Sequence, residues 1–158
     1  MQNESNSSRK SAVVLALFIV VTFLAPALGV WAPPGEWYAS LRKPSWNPPS
    51  WVFGPVWTAL YLMMATAAWM VWKRGGSRRA LICYGVQLAL NAAWTPLFFG
   101  LRMPGVAFVE ILLLLAAIVV TAREFARVSL PAALLLVPYI CWVAFASFLN
   151  FTLWRLNA

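Results

Sequence analysis

Trp57 and Tyr61 lie four residues apart, and Asn91 and Trp94 three apart, within two strongly apolar stretches of the chain. On helices each pair projects from one face toward a common space, so the available chemistry is that of flat rings and an amide. Asn91 falls near the middle of its stretch, where an amide needs a partner from a neighbouring helix or from a ligand, and helix packing is the commoner answer. Glu110 is the only carboxylate within an apolar run and by default a functional candidate. It sits about two turns, roughly 9 Å, from the start of its helix, so interfacial hydration or protonation is the plainer way to satisfy it. Histidine and aspartate are absent, and Cys83 and Cys141 both fall inside apolar segments. The chain therefore offers no zinc site, no His-ligated haem and no nucleophile paired with a base. The two cysteines read as small apolar residues.

The elements that must position these residues are membrane-spanning helices. Of 158 residues 63% are hydrophobic and 10% charged, too little polar side chain to wet a globular surface. A crossing takes ~20 apolar residues. The pattern predicts an all-α integral membrane protein: a polar tail over 1–10, then one domain over 11–157 with helices at about 11–31, 52–72, 80–101, 104–122 and 130–153. Arg9 and Lys10 precede the first apolar run as in a signal peptide, but that run exceeds the usual ~7–15 residues and no small-residue cleavage site follows, so a retained helix is expected.

The net charge of +8 comes from basic residues at the ends of apolar runs. That placement speaks for topology signals and lipid headgroup contacts, and against a nucleic-acid partner. Arg9, Lys10, Lys73, Arg74, Arg78, Arg79, Arg123 and Arg127 fall on the N-terminal side, against Arg42, Lys43, Arg102 and Arg155 opposite. The N-terminus is thus expected in the cytoplasm of a bacterial cell, with the first loop and the C-terminus across the membrane. That loop holds six of the eleven prolines between Pro33 and Pro55, together with Trp37, Tyr38, Trp46 and Trp51. Proline stiffens it, which suits a structured lid over the bundle; an interfacial aromatic belt accounts for the tryptophans taken singly.

Three stretches carry a family resemblance: WYASLRKPSWNPPSWVFGPVWTALY from Trp37 to Tyr61, QLALNAAWTPLFF from Gln87 to Phe99, and PYICWVAFASFLN from Pro138 to Asn150. They resemble the first-loop, third-helix and fifth-helix motifs of the tryptophan-rich sensory protein/translocator protein (TSPO) family, and the similarity runs from about Pro26 to Asn157. The resemblance implies a five-helix bundle with an apolar pocket under the first loop. That pocket would bind porphyrins such as protoporphyrin IX and haem, and isoquinoline and benzodiazepine-type drugs. By position in the motifs its lining would include Tyr38, Pro48, Phe53, Trp57 and Tyr61 from the loop and second helix. Asn91 and Trp94 would come from the third helix, and Trp142 and Ala146 from the fifth. Some members also bind sterol through the end of the fifth helix, where Phe151 stands in place of the tyrosine of the proposed pattern.

A porphyrin is a flat apolar macrocycle with two carboxylates, and it needs aromatic faces, a slot between helices and cations at the rim. Arg42 and Lys43 lie on the side of the aromatic loop and could meet the propionates, although phospholipid contact would use them equally well. The leading expectation is a membrane receptor or carrier for tetrapyrroles, linked to porphyrin or stress regulation, with no obligatory cofactor. An enzyme is the alternative: the resemblance implies light-dependent oxidative porphyrin breakdown involving two pocket tryptophans, at Trp57 and Trp142. A proton-coupled transporter using Glu110 is disfavoured by the odd helix count and the lack of an inverted repeat. Gly85, Ala89 and Ala93 recur every fourth residue, a spacing that lets two backbones approach, within the bundle or in a homodimer.

Overall fold

The computed structural model describes residues 2–158 and contains five helices long and apolar enough to cross a membrane. Helix α1 (Gln2–Ala27) runs into a 3-10 turn (Leu28–Trp31), so the helix begins within the segment expected as a polar tail. A short helix α2 (Glu36–Ser40) lies in the first loop. The remaining spans are α3 (Ser50–Lys73), α4 (Arg78–Thr95) with a π-turn over Pro96–Gly100, α5 (Pro104–Ala126), and the pair α6 (Leu130–Leu134) and α7 (Val137–Leu156). The last expected helix is thus broken at residues 135–136, and the fourth runs to Ala126.

Local chemistry explains these ends. Helix α3 closes in a Schellman turn: the N–H of Gly75 donates to Trp72 O at 3.0 Å and that of Gly76 to Val71 O at 2.9 Å. Gly75 has φ of 70°, which a residue without Cβ adopts freely. Ser77 then caps α4 by accepting the Ala80 N–H at 3.2 Å. Pro96 has no N–H to continue the α4 ladder, and the chain widens into the π-turn at that point.

Around the bundle α3 packs on α1, α1 on α4, α4 on α5 and α5 on α7. The ring closes between α7 and α3 through aromatic side chains, Phe53 against Trp142 and Trp57 against Tyr139. Met64, Ala65, Ala67 and Ala68 of α3 are fully buried, the small side chains allowing close helix approach. Val13, Leu17 and Val20 of α1 and Val109 and Leu113 of α5 face outward, as a surface bathed in hydrocarbon requires. Gly85 and Ala89 are exposed and a Cβ on Gly85 would meet nothing within 4 Å, so this part of the small-residue stripe faces away from the bundle, while Ala93 is half-buried.

Candidate ligand site

The centre of the bundle is a polar bridge among rings. The Tyr61 hydroxyl donates to Asn91 Oδ1 at 2.9 Å, and Asn91 Nδ2 donates to the Tyr139 hydroxyl at 2.9 Å. One amide thereby joins α3, α4 and α7, satisfying its own polar groups within apolar surroundings. Trp57 stacks on Tyr61 at 5.4 Å and meets Tyr139 edge-on at 6.2 Å. Trp142 packs against Phe53 at 5.9 Å and Phe145 at 5.6 Å, and Ala146 follows it by one turn, half-buried against the same cluster.

A second cluster lies under the first loop. Trp94 stacks on Phe98 at 4.9 Å and donates its indole N–H to Asn150 Oδ1 at 3.0 Å, while Asn150 Nδ2 donates to Pro104 O at 2.8 Å. Tyr38 stands edge-on to Phe98 and Phe99, at 6.2 and 5.3 Å. Burial raises the pKa of the Tyr38 phenol, so the hydroxyl stays protonated through neutral pH. Trp94 touches both clusters and joins them.

The loop is held shut by its own groups. Lys43 Nζ donates to the carbonyls of Tyr38 at 2.6 Å, Ala39 at 3.1 Å and Leu41 at 3.3 Å, and sits 4.7 Å from the Tyr38 ring centroid. It is therefore spent on the end of α2 and not presented to a ligand carboxylate. Arg42 is clasped to the C-terminus: its N–H donates to Asn157 Oδ1 at 2.9 Å, and Asn157 Nδ2 donates back to Arg42 O at 3.0 Å. Trp46 stacks on Phe148 at 5.2 Å, whereas Trp51 is 74% exposed and fits an interfacial belt.

An apolar, largely open cavity of about 450 Å³ lies on the outer flank between α3 and α7. Val56, Ala59, Leu60 and Met63 form one wall, and Pro138, Cys141, Trp142 and Phe145 the other. Each set follows the i, i+3, i+4, i+7 pattern of one helix face. Of the nine expected lining residues only Trp142 borders this cavity; Trp57, Tyr61 and Ala146 belong to the central cluster with Trp142, and Asn91 bridges its phenols; Tyr38, Phe53 and Trp94 pack on the cluster under the loop, and Pro48 is half-buried in the loop. Beneath the loop the rings of Trp94, Phe98 and Phe99 are in mutual contact.

Sequence reasoning passed over Tyr139 and Asn150 as site residues. Their spacing held the signal, since Tyr139, Trp142, Ala146 and Asn150 fall on one face of α7. Gln87 was also passed over: it is buried with both amide atoms unpartnered, as are the Glu110 carboxyl oxygens and the Trp142 indole nitrogen.

These features define a multi-pass integral membrane protein whose interior is organised by aromatic rings under a clasped loop. The TspO/MBR family model matches residues 12–155, and the chain belongs to that family. It is similar to the tryptophan-rich protein TspO of Chlorobaculum tepidum, 51% identical over 129 residues, covering 78% of this chain and 82% of the relative. The human translocator protein is 46% identical over 146 residues, 85% of this chain and 86% of its own length. The tryptophan-rich sensory protein of Cereibacter sphaeroides is 43% identical over 147 residues, 90% and 92% of the two chains.

Proposed function

We propose that this protein is a membrane receptor or carrier for tetrapyrroles such as protoporphyrin IX and haem, also taking hydrophobic isoquinoline and benzodiazepine-type ligands, and linked to porphyrin or stress regulation. The observation that carries the reading is the flank cavity, lined in part by Trp142, whose ring packs on Phe53. Its volume of about 450 Å³ falls in the range of small-molecule sites, and its walls suit the faces of an apolar macrocycle. The names of the relatives, a translocator protein and a tryptophan-rich sensory protein, accord with a receptor or sensor. No obligatory cofactor takes part.

Light-dependent oxidative loss of the porphyrin is a second reading. It rests on Trp142 at the cavity wall and on Trp57, linked to the Tyr139 ring at 6.2 Å, with the porphyrin as photosensitiser and dioxygen as oxidant. Purified protein titrated with protoporphyrin IX, first in darkness and then under illumination, tests both. Saturable tryptophan quenching in the dark, weakened by Trp142→Ala, is the result expected of a receptor. Absence of saturable quenching overturns the receptor reading, and loss of the porphyrin spectrum in light that needs Trp57 and Trp142 establishes breakdown.

A further inference from the structure

Glu124 lies in the last turn of α5, 6% exposed, and its Oε1 is approached by two guanidinium groups. Arg79 of α4 stands at 3.3 Å and Arg127, the C-cap of α5, at 2.7 Å from that single oxygen. Two like charges converge on one buried acceptor, while their side chains remain 70% and 67% exposed. A third guanidinium joins them: Arg74, the C-cap of α3, donates to the hydroxyl of Ser129, which is buried and lies two residues beyond Arg127. Three helices thus deliver three arginines to one corner, oriented by two buried polar side chains.

The corner is electrically unfinished. A guanidinium carries five N–H donors. Glu124 and Ser129 take a small share of those fifteen, and among the described side chains one carboxylate against three cations leaves an excess of positive charge. Among the described acidic side chains, Glu36 lies in the first loop at the opposite end and Glu110 is within α5. What completes such a fork is a tetrahedral oxyanion able to accept from two guanidiniums at once. The position says which one. Leu130, 62% exposed, follows directly after Ser129 and Leu134, 57% exposed, one turn later, and exposed Val120 lies one turn before Glu124, so acyl-chain surface adjoins the cations. Lys73 rests 5.0 Å from the Trp69 ring centroid at the same end of α3, a pairing suited to headgroup depth.

We propose that Arg74, Arg79 and Arg127 hold the phosphodiester of an anionic glycerophospholipid, and that Glu124 is the positioning residue that sets two of these guanidiniums side by side. Diffuse attraction between basic residues and an anionic leaflet needs no negative charge on the protein, whereas this fork depends on one. Neutralising Glu124 raises the net charge, yet it removes the oxygen on which the fork is built.

The test uses full-length protein in phosphatidylcholine nanodiscs with and without phosphatidylglycerol, reading retained lipid by native mass spectrometry and Tm by thermal unfolding. The parent retains phosphatidylglycerol in preference and gains Tm. Arg79→Gln and Arg127→Gln each lower that preference by about fivefold, the share of one interfacial cation. Glu124→Gln also lowers it, despite the added positive charge. Arg79→Lys keeps the charge and loses the fork; it lowers the preference too, which preserves the decision should Glu124→Gln fail to fold. A Glu124→Gln or Arg79→Lys variant that retains phosphatidylglycerol as well as the parent overturns the proposal in favour of diffuse charge. An equal Tm gain from inorganic phosphate in pure phosphatidylcholine overturns the lipid assignment. Porphyrin titration is a separate readout, so failure of the ligand site leaves this result standing.

Discussion

The hydroxyl of Tyr61 donates to the side-chain carbonyl of Asn91, 2.9 Å away across the α3–α4 boundary, and the same amide reaches Tyr139 on α7. The amide thus serves helix packing, and its replacement tests how much. Asn91→Leu strands two buried phenols in apolar surroundings. Interhelical hydrogen bonds in membranes contribute ~0.6 kcal/mol on average and up to ~1.7, so the loss of both bonds is expected to cost ~1–2 kcal/mol. Reversible unfolding in mixed micelles measures it, and a change within a few tenths of a kcal/mol would mean that the bridge is energetically idle.

Ala146 follows Trp142 by one turn, and both pack on the core cluster beside the flank cavity. Ala146→Thr adds a methyl and a hydroxyl, an overpacking that typically costs ~1–3 kcal/mol, or roughly ten- to a hundredfold in affinity. Trp142→Ala removes a stacking face, with a loss of similar order. Porphyrin and isoquinoline affinities that stay within about twofold of the parent in both folded variants would place the ligand elsewhere.

The clasp between Arg42 and Asn157 joins the first loop to the C-terminus by two hydrogen bonds, at 2.9 and 3.0 Å. Asn157→Ala removes both, and Asn157 Nδ2 also donates to Leu153 O at 2.8 Å at the end of α7. Each such bond contributes ~0.5–1.5 kcal/mol net, so the loop should open more often while the spans persist. Hydrogen exchange at residues 36–47 is the measurement, with faster exchange expected there and unchanged exchange in α5.

The exposed stripe of Gly85 and Ala89, continued by Ala93, is available to a second copy. If a homodimer forms there, Ala89→Leu blocks close backbone approach and raises the monomer fraction. A detergent-corrected mass identical to the parent's at matched concentration counts against that face.

Topology is tested with single cysteines replacing Ser40 and Ser77 in a background lacking Cys83 and Cys141. Only α3 separates these two sites, so an impermeant maleimide should reach them from opposite sides, with Ser77 on the cytoplasmic side. Labelling of both from one side would refute the arrangement.

Apolar runs of about 20 residues flanked by arginine and lysine were enough to specify five spans, because a helix in hydrocarbon satisfies its backbone within a single segment. The pairing of Trp57 with Tyr61 was equally legible, since a four-residue spacing stacks side chains whatever lies around them. Helix ends were less so: the break at residues 135–136 and the π-turn after Thr95 answer to packing as well as to Pro138 and Pro96. The partners of Asn91 and Trp94 were beyond local reading, because Tyr139 and Asn150 lie 48 and 56 residues away and come into range only when α7 packs against α5. The use of Lys43 was decided in the same way, by the carbonyls that α2 leaves unpaired at its end. So was the position of the cavity: periodicity defines the faces of α3 and α7, but only the closing of the bundle sets those two faces opposite each other.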